Sequence, residues 1–171
     1  IDYKEVVKAL TKKTKAIIAV NIFGYPSELK KLRVLAEKYK IFLIEDNAQA
    51  PGAFHKGKYA GTWGHMGVLS FNVHKTIQCG EGGAILTDDI NLAKKLQLIR
   101  NHSESVVDDW ENIDPEWASL VGYNYRLTEL QASIVTPQLN RLNKLNKERQ
   151  FLANELTNTL DKFKIFKKFP L

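Results

Sequence analysis

Four short apolar runs, separated by helical patterns and glycine-rich turns, constrain the fold of this chain more than any other feature. They predict strands at residues 15–20, 41–45, 68–71 and 84–87. Short apolar runs are typical of strands that are buried on both faces of a parallel sheet. Because the runs alternate with helical patterns, the sequence predicts an α/β domain with a mostly parallel sheet. We expect four parallel strands and a sheet with poorly covered edges.

The predicted helices lie between and after these strands. Apolar residues at helical spacing indicate helices at residues 2–10, 27–39, 89–100 and 128–147. Ser27 is suited to cap the second helix, and Asp88 or Asp89 the third. Pro137 predicts a kink or an interruption in the last helix.

Composition and charge exclude several classes of protein. The net charge is +6, but the basic residues are spread along the chain, so we interpret them as solvated helix faces and predict no nucleic-acid partner. The single cysteine, Cys79, excludes an internal disulfide framework, and the four histidines have no zinc-site spacing, so no metal is predicted. No apolar run approaches the ~18 residues of a membrane helix. A reducing, cytoplasmic setting is therefore expected.

Polar residues follow the second and third predicted strands. Asp46 comes directly after the second predicted strand. Ser70 lies near the end of the third predicted strand, and Lys75 follows Ser70 by five residues. Ligands bind at the carboxyl ends of strands in such sheets. Asp46 is either a charge partner for a ligand cation or a cap for the following turn. Lys75 is either a solvated surface lysine or a nucleophile beside a glycine turn at 80–83.

These three residues have the chemistry that a pyridoxal phosphate site requires. An acid pairs with the pyridinium nitrogen, a lysine forms a Schiff base with the aldehyde, and a hydroxyl binds the phosphate. The sequence therefore predicts pyridoxal 5'-phosphate as the cofactor. We expect the Lys75 amine to lie within reach of a cleft bordered by Asp46 and Ser70.

Four motifs in register resemble one known family, the DegT/DnrJ/EryC1/StrS family of pyridoxal-phosphate-dependent nucleotide-sugar aminotransferases. The resemblance implies the fold-type-I, aspartate-aminotransferase-like large domain. The motifs are Glu45-Asp46-Asn47-Ala48-Gln49-Ala50-Pro51-Gly52-Ala53, Ser70-Phe71-x-x-x-Lys75, Gly80-Glu81-Gly82-Gly83 and Gly122-Tyr123-Asn124-Tyr125-Arg126.

The resemblance also implies a role for each candidate site residue. Asp46 would pair with the pyridine nitrogen, Gln49 would bond the phenolic oxygen of the ring, and Ser70 would bind phosphate. Lys75 would be the catalytic residue, both the Schiff-base lysine and the proton shuttle. Asn124 would reach the phosphate in the neighbouring subunit, which implies a homodimer.

The resemblance covers only part of the family's architecture. It implies that residues 1–150 form the central and C-terminal part of the cofactor-binding large domain. Residues 151–171 would begin the connection to a small domain that is missing, as is an earlier segment of the large domain. The sequence departs from the common family pattern at Asn21, Asn47 and His65, positions interpreted as lying behind or beside the substrate, so the sugar stays open.

The resemblance implies an aminotransferase that moves an amino group from glutamate to a keto-sugar nucleotide, in cell-surface polysaccharide or amino-sugar biosynthesis. One alternative is a sugar dehydratase of the same family, whose members carry histidine at the position of Lys75. The presence of lysine there favours transamination. Another alternative is a catalytically incomplete fragment that keeps the fold without turnover.

Overall fold

The computed structural model of the chain describes residues 1–104, 117 and 119–163. It is an α/β arrangement with one main sheet, a small hairpin and a 3-10 turn at Ile22–Gly24. The helices are α1 (Tyr3–Ala9), α2 (Leu29–Tyr39), α3 (Ile90–Arg100), α4 (Glu129–Asn140) and α5 (Leu142–Asp161). The strands are β1 (Ala16–Val20), β2 (Phe42–Asp46), β3 (Phe54–His55), β4 (Lys58–Tyr59), β5 (Met66–Ser70) and β6 (Gly83–Leu86).

The main sheet has the strand order β1-β2-β5-β6. Strand β2 pairs in parallel with both β1 and β5, which confirms the mostly parallel α/β sheet. The expectation of four parallel strands was wrong, because β6 pairs antiparallel with β5. Residues 71–82, all of them described, form no crossover helix. The chain folds back on itself instead, with the Phe71 N–H donating to the Gly82 carbonyl at 2.8 Å.

One face of the sheet packs against α2 and forms the main core. Ile17 and Ala19 of β1 and Leu43 of β2 contact the apolar stripe of α2, Leu29, Leu32, Leu35 and Ala36. Side chains alternate along a strand, so the neighbours of these residues point to the opposite face. That opposite face is open: Ile18 is 59% exposed and Phe42 is 45% exposed. Asp46 shares this face, because its position alternates with that of buried Glu45.

A second core lies between the β5–β6 end of the sheet and helices α4 and α5. Its buried members are Phe71, Ile77, Val135 and Leu142. The side-chain amide of Gln138 on α4 donates to the Gln78 carbonyl at 2.8 Å, and its oxygen accepts from the Gln78 N–H at 3.0 Å. These two bonds fasten the loop between β5 and β6 to α4.

The helix ends differ in part from the sequence-based expectation. Asp89 caps α3 as predicted, accepting from the Asn91 and Leu92 N–H groups. Ser27 does not cap α2; its hydroxyl donates to the Val20 carbonyl at 3.2 Å, and the helix begins at Leu29.

The predicted last helix is two helices. Helix α4 continues through Pro137 to Asn140, and α5 begins at Leu142. The break therefore falls after the turn that contains the proline. Across the described part of the chain, no helix is both long enough and apolar enough to span a bilayer.

Candidate functional site

The carboxyl ends of β2 and β5 are neighbours, and they bring Asp46 and Ser70 to the same edge of the sheet. Asp46 is in register with Val68, and the Asn47 N–H donates to the Val68 carbonyl at 2.9 Å. Ser70 lies two residues beyond Val68, so it shares the face of Val68 and stands roughly 7 Å further along the strand. A carboxylate and a hydroxyl therefore lie on one face at one sheet edge.

Asp46 is half-buried and begins a tight turn. Its Oδ1 accepts from the Ala48 N–H at 3.1 Å, so the carboxylate does cap the following turn. Capping with one oxygen is compatible with a ligand role, because a carboxylate has about four acceptor positions. Gln49, three residues on, is exposed on the same loop.

Lys75 lies on the loop that leaves β5 directly after Ser70. The Asn72 N–H donates to the Ser70 hydroxyl oxygen at 3.3 Å, and the Lys75 N–H donates to the Asn72 carbonyl at 2.9 Å. Lys75 is half-buried, whereas the adjacent His74 is exposed. Lys75 and His74 are therefore adjacent on the loop but differ in solvent exposure.

Asn124 belongs to a separate segment that is fastened to the end of α3. It forms an antiparallel bridge with Asn101 and is itself exposed. The Arg126 guanidinium donates to the Asn101 side-chain oxygen at 2.8 Å, so Arg126 braces this segment. Residues 105–116, 118 and 164–171 lie outside the described residues.

Glu45 is a feature of the site that the sequence analysis missed. It is fully buried, yet no cation neutralises it among the described ion pairs. Its carboxylate is satisfied by N–H donors: Gly61 at 2.7 Å, Trp63 at 2.6 Å, Gly64 at 2.6 Å and the Asn21 amide at 3.2 Å. The alternation of side chains along β2 could have indicated this burial, because Glu45 lies two residues after Leu43 and therefore on the same inward face.

A groove of about 580 Å³ opens at the other edge of the sheet, beside the start of β5. His65 lines it, and its Nδ1 accepts from the Leu43 N–H at 2.9 Å. Burial lowers the pKa of His65, and the Arg33 guanidinium lowers it further. This edge is remote from Asp46 and Ser70, because His65 precedes β5 whereas Ser70 ends it. His65 is therefore not part of the candidate site.

The described residues contain no group of histidine, cysteine and carboxylate side chains that could hold a metal ion. Cys79 is half-buried, and its thiol contacts the Glu81 carbonyl at 3.4 Å. The candidate site residues at the ends of β2 and β5 are an acid, a hydroxyl and an amine.

This donor set fits pyridoxal phosphate, and the fold around it defines the large domain of a pyridoxal-phosphate-dependent enzyme of fold type I. A family model described as "DegT/DnrJ/EryC1/StrS aminotransferase family" matches residues 1–171. The chain belongs to this family, as its motifs predicted.

Known relatives agree with this assignment. The chain is 38% identical over 158 residues to the uncharacterized protein MJ1066 of Methanocaldococcus jannaschii, covering 90% of this chain and 41% of the relative. An aminotransferase structure from Psychrobacter cryohalolentis matches with a TM-score of 0.85 and 32% identity, over 94% of this chain and 42% of that one.

A dehydratase is also similar. The E. coli GDP-4-keto-6-deoxy-D-mannose-3-dehydratase with bound hydrated pyridoxal phosphate matches with a TM-score of 0.77 and 33% identity, over 96% of this chain and 44% of that one. The chain thus spans less than half the length of these relatives. The similar structures thus include both aminotransferases and a related sugar dehydratase.

Proposed function

We propose that this chain is the cofactor-binding part of an aminotransferase that moves an amino group from glutamate to a keto-sugar nucleotide. The observation that carries the proposal is the placement of half-buried Lys75 on a loop that starts at Ser70, beside the strand end that bears Asp46. The three residues that carry an amine, a hydroxyl and a carboxylate thus follow two neighbouring strand ends, where ligands bind in folds of this class.

Each residue supplies a different function toward pyridoxal phosphate. The Asp46 carboxylate would hold the proton on the ring nitrogen, Gln49 would bond the phenolic oxygen, and the Ser70 hydroxyl would bind the phosphate. Lys75 would attach the cofactor through its amine and then move a proton between substrate and cofactor carbon atoms as a general acid–base. When bound, the cofactor supplies an electron sink for the carbanion that proton removal leaves.

Lys75 also separates the proposal from the dehydratase alternative. Family dehydratases carry histidine at this position, and His74 is adjacent to it but exposed. His74 is adjacent to the position of that histidine and not equivalent to it, so it does not replace the amine. Transamination is therefore the activity that this loop supports best.

We further propose that the complete protein works as a homodimer. Asn124 is exposed, and the segment around it presents two large exposed aromatic side chains, Tyr123 and Tyr125. Their ring centroids are 5.4 Å apart, so they form one continuous aromatic surface. A surface of this kind, on the segment that also carries exposed Asn124, suits contact with a second subunit whose phosphate Asn124 would reach.

The test is Lys75→Ala in the complete protein, with His74→Ala as the matched control. Lys75→Ala is expected to abolish both the visible absorbance of lysine-bound pyridoxal phosphate and glutamate-dependent amination, because no other amine lies on this loop. His74→Ala is expected to keep both. Full transamination by Lys75→Ala would refute the proposed function, and loss of water from the keto-sugar by the wild-type protein would favour the dehydratase.

A further inference from the structure

Asn21 is a buried side chain for which the proposed mechanism has no use. It follows β1 directly and is 0% exposed. Its backbone N–H donates to the carbonyl of Asp46 at 2.9 Å. A buried polar side chain is retained only where its hydrogen bonds are made, so its partners indicate what it holds.

Those partners are the two residues on either side of Asp46. The Asn21 amide Nδ2 donates to the Glu45 carboxylate at 3.2 Å and to the Asn47 side-chain oxygen at 3.3 Å. With the backbone bond, Asn21 therefore contacts each residue of the segment 45–47. The Asn21 oxygen accepts from the Ser27 N–H at 3.0 Å, which fixes the orientation of the amide.

The far side of this segment is fixed as well. Asn47 is 1% exposed, its Nδ2 donates to the Ala60 carbonyl at 3.1 Å, and its N–H donates to β5 at Val68. Glu45 accepts from the Gly61, Trp63 and Gly64 N–H groups. Asn21 is the only one of these partners that contacts all three residues from 45 to 47 in the described bonds.

We propose that Asn21 is a positioning residue for Asp46. It acts through the backbone and through both flanking side chains, so that the Asp46 carboxylate leaves the sheet in the direction of the cofactor ring. The proposal rests on the proposed function, because it assigns Asp46 to the ring nitrogen. Removing the amide would leave the Glu45 and Asn47 oxygens short of a donor and would loosen this strand end.

The experiment compares Asn21→Ala with Ser27→Ala in the complete protein. Ser27→Ala is a matched control, because it removes a partly buried hydrogen bond to the Val20 carbonyl but keeps the Ser27 N–H that donates to the Asn21 side-chain oxygen. Three quantities are measured: the free energy of unfolding, hydrogen exchange in the peptide spanning residues 45–50, and the dissociation constant for pyridoxal 5'-phosphate.

Asn21→Ala is expected to weaken pyridoxal 5'-phosphate binding about tenfold, the equivalent of one lost buried hydrogen bond. It should also speed exchange in residues 45–50 relative to Ser27→Ala. In an Asp46→Ala background the same substitution should change the affinity by less than about twofold, because the group through which Asn21 acts is gone.

An equal loss of affinity in the Asp46→Ala background would overturn the proposal, as would unchanged affinity in Asn21→Ala. If Asn21→Ala does not fold, Asn21→Ser, which keeps one donor, replaces it, and failure of both to fold would reduce Asn21 to a stability role. Absence of pyridoxal 5'-phosphate binding by the wild type would refute the proposed function instead. Unaltered hydrogen exchange of residues 45–50 in Asn21→Ala would separately refute the claim that Asn21 stabilises this segment.

Discussion

Glu45 and Asp46 are consecutive carboxylates that face opposite sides of one strand. Glu45 is fully buried and receives N–H donors from the chain, whereas Asp46 is half-buried on the open face. Because strand side chains alternate, an acidic pair at a strand end supplies an internal anchor and a ligand-facing charge from adjacent positions. The same two-residue segment therefore serves both stability and the proposed chemistry.

Asp46→Asn is expected to keep pyridoxal phosphate attached to Lys75 but to slow turnover about a hundredfold. A neutral amide does not hold the ring-nitrogen proton, and a hundredfold loss of rate corresponds to about 3 kcal/mol. Steady-state kcat and the visible absorbance of the bound cofactor measure the two effects. Asp88→Asn, on a carboxylate that is 94% exposed, is the control and should leave kcat unchanged. Equal rates in both variants would contradict the role of Asp46.

Glu45→Gln is expected to lower the free energy of unfolding by about 3 kcal/mol. The substitution removes the charge that three backbone N–H groups share and turns an amide NH2 toward donors. Urea denaturation measures the change. Glu37→Gln breaks an exposed helical pair with Arg33 and should cost about 0.5 kcal/mol. If both variants lose the same stability, Glu45 is not the anchor that its contacts indicate.

Gly67→Ala is expected to destabilise the protein by about 3 kcal/mol or to prevent folding. A Cβ at this position would stand 1.9 Å from the Gly61 carbonyl oxygen, which is backbone and cannot swing away. Gly57→Ala is the comparison, because its Cβ would meet nothing within 4 Å and only its positive φ opposes alanine. That conformational cost is about 1–2 kcal/mol. Thermal denaturation of the two variants should therefore give clearly different midpoints.

His65 is expected to make stability depend on pH. Its pKa in the folded protein is lowered by burial from the usual value of 6.5, so the unfolded chain takes up the proton first as the pH falls. Its contribution is complete above pH 6.5 and is lost as the pH falls toward the folded pKa. His65→Asn keeps an acceptor for the Leu43 N–H but does not titrate, so it should lose less stability between pH 7.5 and pH 5.

Denaturation midpoints at the two pH values measure this difference. His74→Gln, on an exposed side chain, is the control and should keep the wild-type pH dependence. Identical acid sensitivity in wild type and His65→Asn would show that another group is responsible, with His55 the next candidate, since burial also lowers the pKa of His55.

The strands and the family were predictable because apolar runs and motifs are local in sequence. The direction of β6 was not, since it depends on whether residues 71–82 cross the sheet or fold back on it. The break at Arg141 was not predictable from Pro137 either, because α4 continues through the proline to Asn140 before α5 begins at Leu142.

The support around Asp46 was harder to predict than Asp46 itself. Asn21 and Asn47 stand out in the sequence only as departures from a family pattern, and they were interpreted as positions behind or beside the substrate. Both are buried and bonded to each other, which excludes substrate contact by either side chain. A pairing between residues so far apart in sequence arises from the sheet, and no local pattern encodes it.

The hairpin that carries Lys75 has a consequence for the order of assembly. Its bonds join residues close in sequence, such as Phe71 with Gly82 and Val73 with Gly80. Short loops of this kind close at low entropic cost and therefore early. The strand end that carries Asp46 instead depends on hydrogen bonds from Asn21 and Gly61, which are more distant in sequence. We expect the loop of Lys75 to form before the strand end of Asp46, so that a ligand contacting both residues would bind only after the whole sheet has formed.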